Sequence, residues 1–329
     1  MLLRTLGLKL RMVLVVTFMF ALFYALIAAV MYLLNVNDLT YYIAVAVAIM
    51  WVQYIIGPGI VDLVIRVRYV EPYENPRLYN IVARVAAKAG IPMPRVGISD
   101  ISVPNAFAYG RTMRDARVCV TRPLLELLSE DELEAVIGHE IGHIKHRDMI
   151  IITALSVMPL ICYYIFLFTL FSGYENRGRG AIALLIGIGA LVMYWLTELM
   201  VLYMSRIREY YADARSVELV GRPEVMASAL YKLTRYNVAR KERFSEEEIR
   251  KLECIKAFLA VKPSYSVPKE ILVLMEADVN RDGRIDAYEL LQIKEKVKGA
   301  LGFGSRIAEL FSTHPNILKR IAKLADYII

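Results

Sequence analysis

The sequence predicts a mainly α-helical integral membrane protein: four transmembrane helices, and a cytoplasmic α+β domain built around a small antiparallel or mixed sheet. Three observations carry that expectation. Of 329 residues, 57% are hydrophobic and the mean hydropathy is +0.44, more apolar material than a soluble surface tolerates. Charged residues still make up 22%, so apolar spans must alternate with polar segments. The basic residues behind the net charge of +7 largely flank the apolar spans, as lipid headgroups and topology require, which argues against nucleic acid as a partner. Three widely separated cysteines (Cys119, Cys162, Cys254) exclude a CxxC metal cluster and argue against a disulfide framework.

Residues 1–65 supply two spans, Met12–Leu34 and Tyr41–Ile65, each matching the roughly 20 helical residues a bilayer requires. The first is too long for a signal-peptide core, lacks a small-residue cleavage site and leads straight into the second, so it should stay as an anchor. Gly57-Pro58-Gly59 should kink the second span or end it early. Arg4, Lys9 and Arg11 precede the first span, and the turn from Asn35 to Thr40 has neither Lys nor Arg. Arg66 and Arg68 follow the second span, Lys145 and Arg147 precede the third, and Arg206 and Arg208 follow the fourth. Both termini therefore fall on the cytoplasmic side of the plasma membrane, with Arg177 and Arg179 as an outnumbered exception.

Residues 66–148 form the first cytoplasmic segment. An amphipathic helix over Pro76–Ala89 is stopped by Gly90 and Pro92, and short strands follow at Arg95–Ser99, Ala106–Tyr109 and Arg117–Val120. A second helix opens with a capping box in which Ser129 and Glu132 satisfy exposed backbone donors. It carries His139-Glu140-Ile141-Gly142-His143. Residues four apart share a helix face, so both imidazoles can aim at one point, and neutral imidazole is a good zinc ligand. Glu140 can reach a water at such a metal as general base. The bland alternative is a surface helix with incidental histidines, yet three of the chain's four (His139, His143, His146) lie on this one helix. His146 is expected to be structural.

Residues 149–204 hold spans three and four, Met149–Phe171 and Ala181–Met204. Glu198, in the fourth, lies nearly an integral number of turns before Glu209; it lines a wet recess or is a protonated or paired interhelical group. Residues 205–329 read as helical, with turns at Gly221–Pro223, Lys262–Pro268 and Gly302–Ser305 and a solvated charge run from Arg240 to Lys251. At their start, Glu209 and Asp213 share a helix face. A catalytic zinc needs a third ligand, so one carboxylate can ligate while the other receives the far N–H of a ligand histidine. The alternative is a surface ion-pair array with Arg206 and Arg208.

At this point the chain resembles the HtpX membrane metalloproteases, relatives of the CAAX prenyl-protein endoproteases. The resemblance lies in Gly138–His143, two spans, and Ser205-Arg-x-Arg-Glu-x-x-Ala-Asp213. It also covers Asn105-Ala106-Phe107-Ala108-Tyr109-Gly110 and Phe311-Ser312-Thr313-His314-Pro315 with Arg320-Ile321, and lapses between about Arg240 and Ser305. It implies a zincin-like fold in which His139, His143 and Glu209 bind Zn2+, Glu140 activates water and Asp213 orients a ligand histidine. It further implies that the Asn105, Ala106 and Phe107 strand pairs with bound peptide, and that His314 or Arg320 stabilises the oxyanion. The other reading of His314 is a helix N-terminal turn before Pro315.

Where the resemblance lapses, Asp278–Glu289 fits a twelve-residue EF-hand loop, adding an inserted EF-hand to the expected fold. Asp278, Asn280, Asp282, the Arg284 carbonyl, Asp286 and the bidentate Glu289 would hold Ca2+, and Gly283 makes the sharp turn. An acidic capped turn without metal is the alternative. The function expected is a zinc endopeptidase acting on misfolded or membrane-associated proteins and modulated by calcium; its partners are peptide substrates and the bilayer. A CAAX endoprotease and a catalytically silent calcium-responsive scaffold are the rivals.

Overall fold

The computed structural model describes residues 65–172, 180–239, 269–300 and 303–328, with scattered positions between 18 and 63. Nearly all of the first expected span, much of the second, the Arg240–Lys251 charge run and the Lys262–Pro268 turn lie outside the described residues. The chain divides into two compact units: Gly57–Met149 with Arg208–Ile329, and Ile150–Ile207 with the N-terminal residues up to Ile56.

In the first unit, strands β1 (Val67–Tyr69), β2 (Arg95–Ser99), β3 (Ala106–Tyr109) and β4 (Arg117–Thr121) form a sheet in the order β1-β2-β4-β3. The sheet is mixed: β2 and β4 run parallel, while β1 and β3 are antiparallel edges. β1 has no counterpart among the strands expected from sequence; at three residues it is too short to show alternation. Helix α1 (Pro76–Ala89) starts where Asn75 accepts from Leu78 N–H at 3.0 Å and ends at Gly90, whose φ of 66° suits a residue without Cβ. The short α2 (Arg122–Leu127) leads to α3 (Glu130–Lys145), whose capping box forms as its sequence requires.

The helices that follow are α4 (Asp148–Ser172), α5 (Gly180–Val220), α6 (Pro223–Ala239), α7 (Lys269–Ala277), α8 (Ala287–Ala300), α9 (Phe303–Leu310) and α10 (Ile317–Leu324). The turn expected at Gly302–Ser305 is instead largely the first turn of α9, whose Phe303, Ile307 and Leu310 give it an apolar pattern the glycines mask in the sequence. One core runs through the first unit, from Val96, Val118 and Val120 of the sheet through Ile137 and Ile141 of α3 to Leu230 of α6, Leu290 and Ile293 of α8 and Ile321 of α10. The helices flanking residues 278–289 are thus part of the same core as the sheet.

In the second unit Leu155, Met158, Val201 and Met204 pack together. Within α5, Leu184–Val220 is long and apolar enough to cross a membrane, its apolar stretch of 18 residues having a mean hydropathy of 1.9. At about 1.5 Å per residue, the 41 residues of α5 reach about 62 Å, twice a bilayer's hydrocarbon thickness. Its polar C-terminal third therefore lies beyond any span the apolar part makes.

Candidate metal centre

The centre depends on how closely α3 and the C-terminal part of α5 approach. Gly138 and Gly142, one turn apart on α3, face Ala212 and Ser216, one turn apart on α5. A Cβ on Gly138 would lie 3.3 Å from Ser216 Oγ, and one on Gly142 would lie 3.4 Å from the Ala212 Cα. Ser216 Oγ donates to the Ala135 carbonyl at 2.6 Å, tying the two backbones together. A branched side chain at Gly142 would press on the α5 backbone, because its nearest neighbours there are the Arg215 Cβ at 3.3 Å and the Ala212 main chain, none of which can swing aside. Gly142→Val is expected to weaken zinc binding by more than tenfold while the helical content stays unchanged, as checked by metal titration and circular dichroism. Unaltered zinc affinity would show that the approach is not tight.

That approach brings His139, His143 and Glu209 together, with one donor atom from each within 4.8 Å of the others. The two Nε2 atoms are 3.1 Å apart, and each lies 3.7 Å from a Glu209 oxygen. His139 Nδ1 lies 2.8 Å from Asp213 Oδ1, and His143 Nδ1 lies 2.6 Å from Asp148 Oδ2. Carboxylates on both far nitrogens hold the protons there, so in neutral rings both Nε2 atoms present lone pairs. Two lone pairs facing one another at that distance repel unless a cation lies between them. Tetrahedral zinc, with Zn–N of about 2.0–2.1 Å, separates its nitrogens by about 3.3 Å. The donor set and its spacing fit zinc.

Burial pushes the His143 pKa down to about 4, against the pull of Glu209, so the ring is neutral at physiological pH. Burial works the other way on Glu209, yet His314 and Arg320 outweigh it and hold the carboxyl well below its usual value. Arg320 is itself 1% exposed. Its Nε and Nη2 donate to the two oxygens of Asp213 at 2.9 and 2.7 Å, and Nη1 lies 2.8 Å from Glu209 Oε2. Asp148 pairs with buried Arg208 at 3.1 Å; burial pushes that guanidinium down to about 9, with Glu209 opposing.

Glu209 and Asp213 are therefore not part of a surface array: they are 6% and 3% exposed, and turn toward α3 and α10. The motifs carry no role for Asp148, and Arg208 enters the sequence reading only as a flanking charge and motif position, without its pairing to Asp148. The signal available was weak, an acidic residue five positions beyond His143 and a basic one beside Glu209.

Glu140 is buried and accepts from the Ala108 N–H of β3. Burial pushes its carboxyl up to about 7; Glu209 adds to this, while His139, the Ala108 amide and Arg320 oppose it. Thr121 N–H donates to the Asn105 carbonyl at 2.9 Å, so Asn105 pairs with β4. By antiparallel alternation Phe107 and Tyr109 do the same, and the backbone groups of Ala106 and Ala108 face the open edge. Phe107 packs beneath, with Ile65, Val103 and Cys119. His314 sits in the turn before α10, with Nδ1 3.3 Å from Glu209 Oε1. Ser312 Oγ shapes that turn, donating to the His314 carbonyl at 2.8 Å, and Asn316 caps α10.

Residues 278–289 form a closed loop between α7 and α8. Gly283 N–H donates to Asp278 Oδ2 at 3.1 Å, and Val279 and Asp286 N–H donate to Glu289 at 2.8 and 3.0 Å. Asp282 N–H donates to Asn280 Oδ1 at 3.1 Å, and Arg284 N–H to Asp282 Oδ1 at 2.7 Å. Gly283 has a φ of 77°, the left-handed conformation the loop's sharp turn needs.

Sequence comparison agrees with this geometry. The profile of Peptidase family M48 matches residues 72–328. The chain is 51% identical over 231 residues to a "Protease HtpX homolog" of Methanothermobacter thermautotrophicus, covering 70% of this chain and 87% of that protein. It is 33% identical to the "Protease HtpX homolog" of Thermoplasma acidophilum, over 98% of both chains. Among solved structures, S. mikatae Ste24p shares the fold with a TM-score of 0.51 at 16% identity, over 97% of this chain and 67% of that one. With its His-Glu-x-x-His helix, its converging glutamate and this match, the chain belongs to Peptidase family M48 and is a metalloprotease.

Proposed function

We propose that this metalloprotease is a zinc-dependent endopeptidase, anchored in the plasma membrane by four helices, that cleaves misfolded or membrane-associated proteins at the cytoplasmic face. The convergence of His139, His143 and Glu209, with carboxylates behind both imidazoles, carries the proposal. The anchor is supported by α5, whose Leu184, Leu185, Ile188, Val192, Trp195 and Leu196 are exposed and have lipid as their natural solvent. The side on which the site lies rests on the flanking Lys and Arg residues.

Zinc held by these three residues supplies a Lewis acid that makes water nucleophilic near neutral pH and polarises the scissile carbonyl. Glu140 takes the proton of the attacking water and returns it to the departing amine; a carboxyl near neutrality suits both transfers. The open edge at Ala106, together with the Ala108 carbonyl, adds the substrate as a further antiparallel strand, while the Ala108 N–H stays on Glu140 beneath the scissile carbonyl. Asn105 and Phe107 hold that edge in place, one through Thr121 and the other through the apolar cluster below. As an imidazolium, with the Nδ1–H turned toward Glu209, His314 would donate its remaining N–H, from the buried Nε2, to the developing oxyanion. Arg320 is a positioning residue, since its guanidinium is committed to Asp213 and Glu209. Calcium, held by Asp278, Asn280, Asp282, the Arg284 carbonyl, Asp286 and Glu289, is the proposed modulator.

Casein cleavage by the purified protein in detergent should stop on chelation and return with zinc. Asp148→Asn is expected to lower zinc affinity by about 10–100-fold, the usual effect of losing an outer carboxylate, and Glu209→Ala by more. Equal zinc affinity in Glu209→Ala and wild type would refute the assignment. Preference for a farnesylated peptide over casein would redirect it to prenyl-protein processing.

A further inference from the structure

The calcium loop and the metal centre are joined by a continuous path through the core. Asp278 is 5% exposed; its Oδ2 accepts from Gly283 across the loop, so the carboxylate points into the loop's interior, and its buried Oδ1 has no hydrogen-bond partner. A buried anionic oxygen without a partner is costly, and a cation inside the loop is the partner the surrounding oxygens can hold. The loop is also fastened to α6. Tyr231 OH donates to Asp278 Oδ2 at 3.1 Å, and Ser228 Oγ accepts from Ile285 N–H at 2.7 Å and donates to the Ile285 carbonyl at 3.0 Å. Helix α6 packs against α3, where Lys232 pairs with Glu132 at 2.7 Å. On the other side α8, which begins inside the loop, packs along α10 through Leu290, Ile293, Leu318 and Ile321. Helix α10 carries Arg320.

We propose that a calcium ion in loop 278–289 tightens the zinc site from a distance, by locking α8 and α6 so that α10 holds Arg320 against Glu209 and Asp213. The inference rests on the zinc-site reading above, and adds a route of control that does not involve covering the active site. Without the ion, the inward Asp278 and Glu289 carboxylates repel one another and the loop loosens its hold on both helices. With the ion, the Glu209 carboxylate is presented in the orientation that meets His139 and His143. Two sites coupled through one conformational equilibrium affect each other equally, so zinc must tighten calcium by the factor that calcium tightens zinc.

The test uses full-length protein in detergent, zinc-loaded and zinc-free. Calcium binding is followed by calorimetry, and by terbium luminescence sensitised through Tyr231. Zinc affinity is measured by competition with a zinc-selective chelator at zero and saturating calcium. We expect calcium to tighten zinc binding by about fivefold or more, zinc to tighten calcium by the same factor, and casein cleavage to rise at sub-saturating zinc. Glu289→Gln should lose calcium binding and the cross-effect together, whereas Arg320→Lys should bind calcium and lose the cross-effect. The two wild-type titrations decide the matter if either variant fails to fold. Absence of calcium binding, or calcium binding that leaves zinc affinity unchanged, overturns the proposal. A cross-effect without casein cleavage would remove the endopeptidase reading and leave the coupling standing.

Discussion

Glu140→Gln is expected to lower peptide hydrolysis by about 10²–10⁴-fold while zinc binding and fold persist, the range that loss of a positioned general base produces. The amide is isosteric with the carboxylate and its oxygen can still accept from the Ala108 N–H, so β3 should keep its place over α3. What the amide cannot do is take a proton from water. The comparison requires equal zinc content in the two proteins, since Glu140 contributes no ligand atom to the His139–His143–Glu209 group. Near-wild-type turnover by the zinc-loaded variant would mean that another group is the base.

Arg320→Met is the substitution expected to cost most stability. The side chain is almost completely enclosed, and its removal strands the buried carboxylates of Asp213 and Glu209. Breaking a buried pair from one side costs about 3–5 kcal/mol, because the surviving charge is left without a partner. For a domain of this size that corresponds to a Tm lowered by roughly 6–20 °C. The loss should be greatest in zinc-free protein, since zinc supplies Glu209 with a second positive neighbour. An unchanged Tm in the zinc-free state would show that water or another cation satisfies both carboxylates. The double variant Arg320→Met, Asp213→Asn should recover part of the loss, because it removes one stranded charge along with its partner.

These two residues stand at opposite ends of what the amino-acid sequence discloses. Glu140 was legible because its role follows from local geometry: a helix puts His139 and His143 on one face and a carboxylate beside them, wherever the helix sits. The same locality made α1 readable from its Asn75 cap and Gly90 stop, and β2 and β3 readable from short runs between turn residues. The closed turn at Asp278–Glu289 was legible for the same reason, since the hydrogen bonds that shape it lie within one short segment. Arg320 could be located by resemblance, but its engagement with Asp213 joins residues 107 positions apart, which no spacing rule encodes.

The chain's own pattern established that it forms long apolar helices, a small sheet and a His-Glu-x-x-His helix, because hydrophobic periodicity and capping act over a few residues at a time. Packing alone settled that Gly138 and Gly142 meet Ala212 and Ser216, that Asp148 stands behind His143, and that Arg320 is a buried clamp. The physical reason is one of range. Backbone conformation responds to near neighbours, whereas the sign and position of charge around a metal depend on which distant helices share a core.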